Sequence, residues 1–223
     1  MSDEADDRGA LTVVLVVVLA TGMVDAASLL HLGVFTAYMT GSLVLFGAHL
    51  VGTPGSPWPS AGALAAFVGG LVVGALLVRR TAGRHRLVGD VLVLVALVVA
   101  VAAGLAAWRG VDSDGGRYLV TAVLAVGMGS LIAAVHTLRV PEVPMAAGTL
   151  ATFGVITGLL GDPDASHQLR RRVAVIVALV VGAMVGAALA RWEPWGAWAM
   201  AAVVIAVAAT AAYRLLPREP SSG

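Results

Sequence analysis

The chain has 223 residues, 59% of them hydrophobic and 12% charged, with a mean hydropathy of +0.94. A soluble domain is about half apolar and about a quarter charged, so this composition reads as an all-α polytopic integral membrane protein. The absence of cysteine excludes disulfides, thiolate metal sites and cysteine nucleophiles; the net charge of +1 says nothing about partners, and nucleic-acid binding has no support beyond ordinary cytoplasmic arginines.

The opening residues MSDEADDRGA are acidic, with one Arg, and lack the basic region and small-residue cleavage site of a secretory signal. Residues 1–9 are therefore expected to be a cytoplasmic tail, and the first apolar segment a retained helix. About 20 apolar residues span the ~30 Å hydrocarbon core as a helix. Along the chain, apolar stretches occupy 11–31, 34–51, 61–80, 88–108, 118–138, 144–160, 172–191 and 196–216. The first carries Asp25 in mid-segment. The second, within GVFTAYMTGSLVLFGAHL (33–50), follows with almost no room to turn and holds Thr36, Tyr38, Thr40, Gly41, Ser42 and His49.

Charge placement decides how many stretches cross. All fourteen basic residues are Arg, and cytoplasmic loops should be enriched in them. If 34–51 and 144–160 make no net crossing, Arg8, Arg79, Arg80, Arg84, Arg86, Arg170, Arg171, Arg172, Arg214 and Arg218 share one side. Arg109, Arg117 and Arg191 take the other, with Arg139 at an internal break. This predicts six net crossings, both termini in the cytoplasm of a bacterial inner-membrane protein, and two re-entrant or broken helices. Gly41 and Gly148 suit such elements, because irregular backbone at membrane depth needs unusual geometry and internal hydrogen bonds. Short, tilted spanning helices are the alternative.

A repeat is visible. Gly22-Met23 matches Gly127-Met128 at an offset of 105, as His31 matches His136. Thr40-Gly41-Ser42-Leu43 matches Ala147-Gly148-Thr149-Leu150 two residues out of phase, and Gly70 and Gly74 match Gly182 and Gly186 at an offset of 112. Two membrane repeats, 10–110 and 117–217, are expected within one integrated membrane domain. An odd number of crossings in each makes them inverted, and interrupted segments at corresponding positions point to a transporter site between them.

The run GMVDAASLLHLGVFTAYMTGSLVLFG (22–47) resembles the YoaK-like bacterial membrane proteins, a family of unknown function, and the resemblance covers most of the chain. The family pattern is a Gly, then Asp-Ala, then Gly-x-Phe-x-Ala-x-Met-Thr-Gly-Asn. Gly22, Asp25, Ala26, Gly33, Phe35, Ala37, Met39, Thr40 and Gly41 match it, and Ser42 stands where Asn is usual. In the second half the family reads Gly-x-Gln-Asn-Ala and Thr-Gly-Thr-Leu. This chain has Gly127-Met128-Gly129-Ser130-Leu131 and Ala147-Gly148-Thr149-Leu150 instead. The resemblance implies the architecture and brings no substrate.

A carboxylate inside a span is costly unless paired, solvated or protonated, so Asp25 is the first candidate for a substrate or ion-coupling group. It could equally hold the broken segment in place. Thr36, Thr40, Gly41, Ser42, Ser130, Gly148 and Thr149 complete the expected substrate- or ion-binding site. His31 and His136 are candidates for a proton relay, or else cap their helices. Arg139 pairs locally with Glu142 or turns inward. The sequence shows no phosphate loop, hydrolytic triad or metal-ligand pattern, so neither an enzyme nor a cofactor is expected. The reading is a small-solute permease in the lipid bilayer, with a non-transporting scaffold as the alternative. The GxxxG motifs pack helices within the chain or between copies, which leaves homo-oligomerisation open.

Overall fold

The computed structural model describes residues 2–80, 87–136 and 165–216. Seven α-helices occupy these residues: α1 (Ser2–Leu32), α2 (Met39–Leu50), α3 (Trp58–Arg80), α4 (Leu87–Arg109), α5 (Asp114–Val135), α6 (Ala165–Ala190) and α7 (Pro194–Leu215). All except α2 contain an apolar stretch long enough to cross a bilayer.

Local chemistry sets the ends. Gly33 follows α1 at φ 73° and Gly110 follows α4 at φ 70°, a left-handed geometry that favours glycine and stops a helix. The Ser113 side chain accepts from Gly116 N–H at 3.2 Å to start α5. Pro194 opens α7, where its missing N–H costs nothing.

Close contacts give the direction of each helix. Gly70 and Gly74 of α3 lie against the backbones of Val126 and Ser130 of α5, so these two helices run parallel. Gly182 and Gly186 of α6 lie in the same way against Leu19 and Met23 of α1. Arg117, near the start of α5, donates from Nη2 to the carbonyl of His31 at the end of α1 at 2.9 Å, so α1 and α5 are antiparallel. Tyr213 Oη donates to Asp90 Oδ1 at 2.6 Å, joining the end of α7 to the start of α4. Hence α1, α4 and α6 run one way and α3, α5 and α7 the other.

Two consequences follow. Residues 2 and 216 lie on the same face of the bundle, and α3 begins on the face where α1 ends. The segment carrying α2 therefore makes no net crossing. Its twelve residues reach only about 18 Å at 1.5 Å per residue, too short for the ~30 Å core. Its outer side is apolar, with Leu43, Val44, Leu50 and Val51 exposed, as an element held against lipid requires. Likewise α5 ends and α6 begins on one face. The expected partner element at 144–160, with Gly148 and Thr149, lies outside the described residues, as does Arg139.

The packing is duplicated. Gly22 of α1 sits against Leu179 and Ala183 of α6, and Gly129 of α5 sits against Phe67 and Leu71 of α3. The α1–α6 and α3–α5 contacts thus use equivalent residues: Leu19 with Val126, Gly22 with Gly129 and Met23 with Ser130, each 107 apart. Gly70 with Gly182 and Gly74 with Gly186 are 112 apart. The offset of 105 read from Gly-Met is therefore corrected by two residues. In Gly127-Met128-Gly129 either glycine can be matched to Gly22, but Gly129 touches the partner backbone while Gly127 faces Val98 of α4. At 107, Thr40-Gly41-Ser42 falls on Ala147-Gly148-Thr149 with no drift.

Candidate functional site

Asp25 faces the chain that links α1 to α2, and it is only 4% exposed. Its Oδ1 accepts from the backbone N–H of Thr36 and of Ala37, each at 2.8 Å, and from the Thr36 hydroxyl at 3.3 Å. Its Oδ2 accepts from Tyr38 N–H at 2.7 Å. These donors lie just before α2, whose N-cap residue Tyr38 makes no side-chain capping bond. Asp25 thus supplies from α1 the negative end that a helix N-terminus attracts.

The surrounding residues fix the same turn. Ser28, one turn after Asp25 on α1 and fully buried, meets the Thr36 hydroxyl at 3.2 Å. The Ser42 hydroxyl donates to Phe35 O at 2.7 Å and accepts from Phe35 N–H at 3.1 Å, closing the loop upon α2. The Phe35 ring occupies the space that a Cβ on Gly41 would need. Val34, Thr36 and Ala37 are buried. The connector is irregular backbone whose N–H groups from Phe35 to Tyr38 are all met by side chains of this chain, the condition for such backbone in a bilayer.

The expected site residues divide accordingly. Asp25, Thr36, Gly41 and Ser42 come together, with every one of their described contacts made to this chain. Thr40 is exposed beside them and takes no part in the network. Ser130 is elsewhere: its hydroxyl donates to Gly70 O and Val126 O, both at 3.0 Å, in the α3–α5 contact. The His31 ring meets Ala190 O through Nε2 at 2.9 Å, tying α1 to the end of α6. His136 is exposed at the end of α5, on the opposite face of the bundle from His31. The two histidines are not brought together.

A separate cavity of about 430 Å3 opens between the end of α1, the 51–57 loop and the first turns of α5. Gly33, His49, Ser56, Asp114, Arg117 and Thr121 line it, and Asp25 does not. In the sequence Arg117 stands out only as a topological charge, and Asp114 carries no signal of its own. Among the described residues no cluster of His, Asp and Glu is placed to hold a metal ion.

No curated protein matches the chain, and no solved structure does. Residues 13–213 match the family described as a protein of unknown function, DUF1275, to which YoaK-like proteins belong, so this chain is a member of that family.

Proposed function

We propose that the protein is a permease for a small polar solute in the bacterial inner membrane, with no catalytic activity of its own. The observation that carries this reading is the pairing of an inverted six-span bundle with a short helix, α2, that packs on α3 without crossing. Inverted halves with interrupted elements are the usual frame for alternating access, in which one half rocks against the other. The orientation follows from charge. Arg8, Arg79, Arg80, Arg170, Arg171, Arg172 and Arg214 lie toward the face with the termini, and Arg109, Arg117 and Arg191 toward the other. The positive-inside rule then puts both termini in the cytoplasm.

In this reading Asp25 positions α2 and does not hold the solute, since its oxygens are engaged by the chain. The same observation favours one competing reading, a membrane scaffold whose polar residues serve only an unusual fold. Proteoliposomes separate the two. Uptake of radiolabelled amino acids, carboxylates, amines and sugars is compared with protein-free vesicles. Uptake of at least one class, abolished by Asp25→Ala and kept by Thr40→Val, supports the permease. Rates equal to those of empty vesicles for every class favour the scaffold.

A further inference from the structure

The cavity beneath the 51–57 loop has an unusual charge arrangement. Asp114 and Arg117 stand one turn apart on α5, a spacing that places side chains on the same face, and both line the cavity. Among the described residues neither has an ion-pair partner, and Arg117 uses Nη2 on the His31 carbonyl at 2.9 Å. A guanidinium carries five donors, so much of the fork remains for a ligand. His49 lines the same space, and its buried Nδ1 has no hydrogen-bond partner. A volume of about 430 Å3 is in the range of small-molecule sites.

Two opposite charges facing one volume select by attraction and by repulsion. A simple anion gains Arg117 but meets Asp114, and a simple cation gains Asp114 but meets Arg117. A molecule with an ammonium group and an anionic oxygen on a short spacer satisfies both. We infer that this vestibule binds a small zwitterion, its anionic end on Arg117 and its ammonium on Asp114. The inference rests on the permease reading for its biological use, since it names that permease's solute class, but binding is measurable without transport. A phosphatidylethanolamine headgroup carries the same pair of charges.

The test uses full-length protein in detergent and calorimetric titration with ω-amino acids from glycine to 6-aminohexanoate. Butyrate and butylammonium serve as single-charge controls. At least one zwitterion is expected to bind about tenfold or more tighter than either control, the factor given by 1.4 kcal/mol. Asp114→Asn should abolish the preference over butyrate, and Arg117→Gln the preference over butylammonium. Arg117→Lys, which keeps the charge, should retain part of it, a check against a merely structural effect. Nanodiscs containing phosphatidylethanolamine or phosphatidylglycerol form the second arm. Stabilisation by the former alone, lost in both charge variants, assigns the site to the headgroup.

Saturable binding of no zwitterion in either arm overturns the inference, as do single-charge controls that bind equally well or variants that change nothing. Binding without uptake in proteoliposomes would sink the permease and leave the site. Uptake that survives both charge variants would do the reverse.

Discussion

Removing the Asp25 carboxyl group should loosen α2 before it affects anything else. Asp25→Ala takes away the acceptor of three backbone N–H groups, those of Thr36 and Ala37, which are buried, and that of Tyr38, which is half-buried. A buried donor left unpaired costs about 1–3 kcal/mol, so three give about 3–9 kcal/mol if nothing relaxes. The segment can relax by lifting α2 until its donors find water, which places the expected loss at the lower end, about 3–5 kcal/mol. Asp25→Asn keeps an oxygen at the Oδ1 position but sets an amide NH2 against Tyr38 N–H. One bond becomes a donor facing a donor, for an expected loss of about 1–3 kcal/mol. The assay is reversible unfolding in mixed micelles, joined to protease susceptibility of residues 33–57. The expected order of stability is wild type, Asp25→Asn, Asp25→Ala, with cleavage rising in the same order. An Asp25→Ala protein with the wild-type midpoint and an equally protected α2 would refute the anchoring role. A fully stable Asp25→Asn protein with impaired uptake would return the carboxylate to the solute.

The glycine contacts predict a matched pair of effects. A Cβ at Gly70 or Gly182 runs into partner backbone, at Val126 and Leu19 respectively, so each Ala variant should lose about 1–3 kcal/mol. Gly69→Ala and Gly104→Ala, with nothing within 4 Å, should lose nothing in the same unfolding assay. Because the chain has no cysteine, single-cysteine labelling reports topology directly. Cysteines at Ser56, Asp112 and Trp192 should react with a membrane-impermeant maleimide from one side, and those at Arg8 and Arg80 only from the other. Labelling of Ser56→Cys together with Arg80→Cys from one side would overturn the six-crossing fold.

Much of this architecture could be read from residues alone, because lipid imposes simple rules. Eight apolar stretches follow from composition, and the reduction to six crossings, with the failure of α2 to cross, follows from where the arginines fall. The importance of Asp25 follows from the cost of a carboxyl group in a span. Its partners were harder to see. Whether Thr36 or Thr40 faces the carboxyl group depends on where the connector ends and α2 begins, and Ser28 shows only once α1 is known to present it on the Asp25 face. The repeat register was hidden by the ambiguity of Gly-Met-Gly, which only contact with the partner helix resolves. The Asp114–Arg117 cavity left no local signal, since its walls come from three segments far apart in sequence.

The corrected register shows a duplicated frame in which the carboxylate of Asp25 has no counterpart at the matched position. At the spacing of 107, Asp25 falls on Ile132, Ser28 on Val135, and Thr36-Ala37-Tyr38 on Val143-Pro144-Met145. At the matched positions the second half thus carries neither a carboxylate nor the N–H that Ala37 supplies, because proline has no N–H. Gly148 and Thr149 still stand where Gly41 and Ser42 do. Small residues and hydroxyls thus recur in both halves, whereas Ile132 stands where Asp25 does. In any cycle that rocks one half against the other, α2 is the element tied to its own span by charge. The helix pair α1–α6, with Gly182 and Gly186 against the α1 backbone, is then one contact through which that tie reaches the second half, and the packing of α1 on α7 is another.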